Sequence, residues 1–106
     1  MSPFSLEIAS MQTAADEASR LMKVLANPDR LMVLCQLAQG EKRVGELEAL
    51  LGIGQPTLSQ QLTVLREEAL VSTRREGKNI YYKVVSPTAL AVIQVLYDQF
   101  CGSVKE

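Results

Sequence analysis

The amino-acid sequence predicts a mainly α-helical domain that carries one small β-hairpin, and three observations predict it. Apolar residues recur at three- and four-residue spacing through most of the chain, as one-sided helices require. The period changes to two residues only in VSTRREGKNIYYKVV, Val71 to Val85. The chain has 106 residues, 47% of them hydrophobic, with no repeat or long linker, so residues 1–106 are expected to share one core. With no Trp and 5% aromatic residues, that core must be aliphatic.

Taken in order, the first helix is expected from about Leu6 to Leu25, with Met11, Ala14, Ala15, Ala18, Leu21, Met22 and Leu25 along one stripe. ANPDR ends it: Asn27 suits the cap of a second helix, Pro28 its first turn, and Gly40 its stop. Leu31, Leu34, Cys35 and Ala38 are its expected buried stripe. A short third helix, about Val44 to Leu51, turns Val44, Leu47, Leu50 and Leu51 inward. Gly52 to Gly54 then form a turn tight enough to join two helices steeply.

In GIGQPTLSQQLTVLREEAL, Gly52 to Leu70, steps of about 100° per residue gather Leu58, Leu62, Leu65 and Ala69 into a narrow arc. Ser59, Gln60 and Thr63 fall on the opposite side. The hairpin follows, with strands Val71 to Arg75 and Ile80 to Val85 around Glu76, Gly77, Lys78 and Asn79. Ser86 and Pro87 begin a last helix that runs to about Cys101. Its apolar residues, Leu90, Val92, Ile93, Val95, Leu96, Tyr97 and Phe100, surround it almost completely, which calls for burial on two sides; a second copy of the chain is the simplest partner.

The net charge of −1 and pI near 5.5 argue against a uniformly basic nucleic-acid binder, but the charge is unevenly spread. From Lys42 to Lys83 there are seven basic and five acidic residues, a net of +2, and the remainder sums to −3. Helix, glycine turn, helix and basic hairpin form the order of a winged helix-turn-helix. In that setting the uncharged outward face has a purpose, because short amides and hydroxyls match the donor and acceptor pattern of base edges in the major groove. Base-edge or nearby contacts are therefore assigned to Gln55, Thr57, Ser59 and Gln60, with Thr63 as a candidate for a further one. Arg66, Arg74, Arg75 and Lys78 are assigned to phosphates. The expected partners are palindromic double-stranded operator DNA and a second copy of the chain. Taken alone, the same face also fits a solvated surface or a protein-binding module.

Other classes find little support. No histidine, no CxxC and no Gly-rich phosphate loop are present, so neither an enzyme nor a cofactor is expected. The apolar runs are too short to cross a bilayer, and MSPFSLEIAS lacks the basic head and apolar run of a secretory signal, so a cytoplasmic location without membrane contact is expected.

The segment ALLGIGQPTLSQQLTVLREEALVSTRREGKNIYYKV resembles the recognition helix and wing of the ArsR/SmtB family of bacterial repressors, with Ser59, Leu62, Leu65, Leu70, Val71 and Tyr82 at matching positions. LANPDRLMVLCQL resembles the family's second helix, and the likeness spans roughly Leu21 to Phe100. It implies a homodimer joined through first and last helices. Two positions depart from the pattern: Gln61 stands where many members have His, with consequences for a helix-to-scaffold hydrogen bond or a DNA contact, and Ala69 stands where Gly usually ends the helix.

Many members of that family sense metals, but no metal site is expected here. A zinc-type site on the last helix needs histidine, and RVGELEAL occupies the place of the third-helix cysteine pair. Cys35 in VLCQL and Cys101 in YDQFCG, together with GIGQPTLSQQL, resemble the BigR-type subgroup that responds to reactive sulfur species. The resemblance implies that these two thiols become joined by a disulfide or short polysulfide, releasing the operator. Peroxide or arsenite acting on the same thiols is the alternative effector. Without the resemblance, each cysteine also fits inert packing.

Overall fold

The structure, a computed structural model, describes residues 7–102. Its elements follow in the order α1 (Ile8–Leu25), α2 (Pro28–Ala38), β1 (Lys42–Arg43), α3 (Val44–Leu51), α4 (Thr57–Glu67), β2 (Val71–Glu76), β3 (Asn79–Val84) and α5 (Pro87–Phe100). The expected start of the first helix at Leu6, and most of the N-terminal segment read for a signal, lie outside the described residues.

Local chemistry sets the helix boundaries. The Asn27 side chain accepts the Arg30 N–H at 3.0 Å and Ser86 Oγ accepts the Ala89 N–H at 3.1 Å, each ahead of a proline in the first turn. Glu46 accepts the Arg43 N–H at 2.9 Å at the start of α3. Gly52 ends α3 at φ 69°, a left-handed value that costs a glycine little.

The apolar faces of all five helices and of β2 meet in one aliphatic core. Val33, Leu34, Leu47, Leu58, Leu62 and Leu65 are completely or almost completely buried, joined by Val24 and Leu25 of α1, Val71 of β2, and Ala89 and Ile93 of α5. Each such leucine contributes roughly 1.5–3 kcal/mol by leaving water. Helix α2 is central, packing on α1, α3, α4, α5 and β3.

The α4 arc is as expected for Leu58, Leu62 and Leu65, but not for Ala69. The helix ends at Glu67, Ala69 turns outward at φ 62°, and Leu70 takes the buried place. The Leu70 N–H reaches the Leu65 carbonyl and the Ala69 N–H the Arg66 carbonyl, both at 3.0 Å. This is the paired closure that glycine usually makes, here made by alanine.

Three further expectations are corrected. The buried stripe of α2 is Val33, Leu34 and Leu37, while Leu31 and Cys35 are half-buried and Ala38 is exposed. Neighbours on several sides of α2 blur the single face that periodicity assumes. Leu50 of α3 is 57% exposed, because only Leu47 of this short helix points straight into the core. The hairpin is tighter than expected, pairing Val71 with Val84 through Glu76 with Asn79 around a two-residue turn, and Val85 lies beyond it, exposed. Gly77 enters that turn at φ 64°. A third strand joins the sheet: β1 pairs Lys42 with Tyr82 and Arg43 with Tyr81, giving the order β1-β3-β2.

On α5, Ala89 and Ile93 face the core, while Leu90, Val95, Tyr97 and Phe100 remain exposed. Ile8, Met11 and Met22 of α1 are exposed as well. Among the described residues, no helix is long and apolar enough to cross a membrane.

Candidate nucleic-acid interface and thiol cleft

Burial of Leu58, Leu62 and Leu65 fixes which side of α4 faces inward, and the opposite side carries the polar residues. Gln55, Ser59, Gln60, Thr63 and Arg66 are exposed; Thr57, the first residue of the helix, is half-buried. Two hydroxyls are already engaged. Ser59 donates to the Gln55 side-chain carbonyl, leaving the Gln55 amide N–H groups unengaged by it, and Thr63 donates to the Ser59 backbone carbonyl at 2.9 Å. Gln60 makes no side-chain hydrogen bond among the described residues. Gln61 points differently: its carbonyl oxygen accepts from Arg30 Nη1 at 3.0 Å, so the departure from histidine is a helix-to-scaffold hydrogen bond.

The wing's cations have different settings. Arg74 donates to both Glu41 oxygens at 2.8 Å, to Glu76 Oε1 at 2.8 Å, and lies 4.5 Å from the Tyr81 ring centre. The Glu41 hydrogen bond, then that of Glu76, holds the Arg74 pKa well above the ordinary value; the same bond holds Glu41 below the usual carboxylate range. Two carboxylates thus offset the charge that the sequence suggested for a phosphate, and Arg74 fastens the wing to the segment before β1. Arg66, Arg75 and Lys78 are exposed and form no ion pair among the described residues.

One thiol lies on α2, facing α5, and the other at the C-terminal end of α5. Cys35 is half-buried and lines an open cleft of about 580 Å³ with Ala38, Gln39, Leu90, Ile93, Gln94 and Tyr97. Cys101 is exposed at the end of α5, its N–H bonded to the Tyr97 carbonyl at 2.7 Å. Both are free thiols. Burial, and to a lesser degree the Cys101 charge, pushes the Cys35 thiol up. Among the described residues, no cationic side chain lines the cleft to favour a Cys35 thiolate. Among the described residues, no group of three or more His, Cys, Asp or Glu is arranged to hold a metal ion.

Sequence reasoning did not anticipate Arg30 or Arg20. Arg30 Nε donates to the Val24 carbonyl at 2.7 Å and Nη2 to the Lys23 carbonyl at 3.4 Å. The signal was present, since the residue four beyond Val24 is Pro28, which has no N–H to offer that carbonyl. Arg20 of α1 grips Glu68 just after α4, at 2.8 and 3.3 Å, a pairing across 48 residues that no local pattern announces.

Comparison with known proteins gives a consistent outcome. The family model described as "Bacterial regulatory protein, arsR family" matches residues 27–73. The biofilm growth-associated repressor of Agrobacterium fabrum is 53% identical over 97 residues, covering 92% of this chain and 83% of the relative. The transcriptional activator HlyU of Vibrio cholerae is 36% identical over 96 residues, covering 91% and 89%. Among solved structures, the transcriptional repressor BigR from Xylella fastidiosa superposes with a TM-score of 0.83 at 48% identity, covering 91% of this chain and 98% of that one. The homodimeric winged helix-turn-helix DNA-binding domain Mb0332 from Mycobacterium bovis gives 0.70 at 32% identity, covering 91% of each.

Proposed function

The chain belongs to the arsR family of bacterial regulatory proteins, and on that premise we propose that it is a homodimeric repressor that leaves its operator when reactive sulfur bridges Cys35 and Cys101. As a member of that family it is a DNA-binding transcription regulator and not an enzyme. Repression is supported by the relatives near 50% identity, which are named repressors. Its partner DNA places it in the cytoplasm.

The observation that carries the DNA-binding part is the exposed Gln55–Ser59–Gln60–Thr63 face directly opposite the buried leucines of α4. That face enters the major groove, where Gln60 reads base edges, with Gln55, Thr57, Ser59 and Thr63 at or near them. Arg66, Arg75 and Lys78 meet phosphates, and Arg74 steadies the wing that carries two of them. The exposed apolar residues of α1 and α5 cover one another across a two-fold axis, setting two α4 helices about 34 Å apart for a palindrome. Selection of bound duplexes from a random pool tests this. A palindromic site is expected, and Gln60→Ala is expected to lose about 1–3 kcal/mol and relax preference at particular base pairs. An unchanged preference would displace Gln60 from the reading face.

The sensing part is supported by the position of Cys35 in a cleft lined by α5, the helix that Cys101 ends. Exposed Cys101, as thiolate, attacks the outer sulfur of a persulfide RSSH; the donor S–S bond breaks, RS⁻ leaves and Cys101–SSH forms. Cys35 takes up sulfur from a second donor in the same way. The Cys35 persulfide anion then attacks Cys101 Sγ and expels HS⁻, leaving a trisulfide. The two thiols are oxidised by two electrons; of the two sulfane sulfurs taken up, one is reduced to sulfide and the other stays in the bridge. Direct attack by Cys35 thiolate on Cys101–SSH gives the disulfide instead, which requires Cα atoms within about 7 Å. Either bridge ties α5 of the dimer interface to α2, which packs on α4. A coupling of about 3 kcal/mol weakens operator binding on the order of 100-fold.

Adding persulfide to the operator complex tests the sensing part. Release is expected, reductant restores binding, and Cys35→Ser and Cys101→Ser stay bound. Equal release by peroxide or arsenite would replace persulfide as the effector.

A further inference from the structure

The Arg30 guanidinium joins three parts of the molecule. From the first turn of α2 it donates to the last-turn carbonyls of α1 at Val24 and Lys23, and to the Gln61 side chain of α4. The Val24 carbonyl lacks its helical partner because Pro28 stands there, and the C-terminal end of α1 favours a cation. Arginine suits this position because its planar fork serves separate acceptors at once, which a lysine ammonium on a flexible stem does less well.

Gln61 follows Gln60 directly and lies two residues after Ser59, so holding Gln61 holds the rotation of the outward face, at about 100° per residue. Leu58, Leu62 and Leu65 anchor the helix through contacts that have little directionality, whereas the Arg30–Gln61 bond is directional. The Arg20–Glu68 pair joins α1 to the residue after α4 a second time.

We propose that Arg30 and Gln61 are positioning residues for sequence discrimination: the bond between them sets the rotation of α4 against α1, while neither side chain touches the DNA. The inference rests on α4 being the reading helix. It adds that operator preference depends on a scaffold bond turned away from the groove.

The test uses the full chain, reduced, with two duplexes: the palindrome selected by the wild-type protein and the same duplex with scrambled half-sites. Gln61→Leu and Gln61→Ala are each expected to lose about ten-fold of the preference for the palindrome, with affinity for the scrambled duplex and the salt slope unchanged. Arg30→Lys is expected to show a similar loss, and the Arg30→Lys/Gln61→Leu double variant no more than the larger single loss. Gln61→Glu keeps an acceptor for Arg30 and is expected to retain the preference. Melting curves identify folded variants, and the alanine variant serves should leucine disturb the fold. Wild-type preference in a folded Gln61→Leu or Gln61→Ala variant overturns the proposal, as do additive losses in the double variant. Loss in Gln61→Glu equal to that in Gln61→Leu also overturns it, by making Gln61 a direct DNA contact. A wild-type protein that selects no sequence overturns the DNA-reading assignment itself, and this inference with it.

Discussion

Arg74 on β2 holds Glu41, just before β1, through two nitrogen–oxygen contacts of 2.8 Å each. Its guanidinium also pairs with Glu76 and lies over Tyr81, so the base of the wing is fastened, while Arg75 and Lys78, nearer the tip, form no ion pair among the described residues.

This division predicts unequal salt effects. Arg75→Ala and Lys78→Ala should each flatten the dependence of log K on log salt by about 1 per protomer, without changing sequence preference. Arg74→Ala should change that slope less and lower the melting temperature more. Operator titrations at several salt concentrations, with a melting curve for each variant, check the order.

The acidic partners predict a pH dependence of stability. Hydrogen bonds from Arg74 and Arg20 hold Glu41 and Glu68 below the usual carboxylate range. A carboxylate depressed in the folded state stabilises above its unfolded value of about 4.3, and that contribution fades as pH falls through the folded value. Glu41→Gln and Glu68→Gln should therefore melt below wild type at neutral pH and converge with it in stronger acid. A gap that persists unchanged to about pH 2 would assign the effect to packing rather than charge.

Ala69 adopts φ 62° at the end of α4. A non-glycine residue is strained there, and part of the gain from glycine is lost to greater freedom in the unfolded chain. Ala69→Gly should gain about 0.5–1 kcal/mol in urea denaturation with the slope m unchanged. No gain would mean that the turn accommodates alanine without strain.

Metal ions should not control DNA binding. With no histidine in the chain and both thiols reduced, zinc, cadmium and nickel should leave operator affinity unchanged in fluorescence anisotropy. A stoichiometric release reversed by chelator would contradict this.

What was legible in the sequence followed from short-range geometry. The α4 leucines, the caps at Asn27 and Ser86 and the hairpin each obey rules that operate within a few residues. The rest depends on distant partners. Strand β1 has two residues, too few for a period, and forms because Tyr81 and Tyr82 are there to pair with. The stripe of α2 was misplaced because several elements surround that helix. Arg74 reaches Glu41 across 33 residues and Arg30 reaches Gln61 across 31, so long side chains chose partners that spacing does not reveal. Cys35 and Cys101 stand out by resemblance alone, and the structure adds that Cys35 lines a cleft against α5, the helix that Cys101 ends.

The central claim is that one chain's Cys35 and Cys101 are joined by reactive sulfur and that this joining frees the DNA. Mass spectrometry of the operator-released fraction after persulfide treatment, intact and after digestion, tests it most directly, with heavy and light chains mixed into one dimer population beforehand. The account predicts a crosslink between the Cys35 and Cys101 peptides of the same isotopic chain, carrying one sulfur beyond a disulfide, and loss of that mass when reductant restores binding. Full persulfide-driven release of Cys101→Ser, or a crosslink joining heavy to light chains, would contradict it.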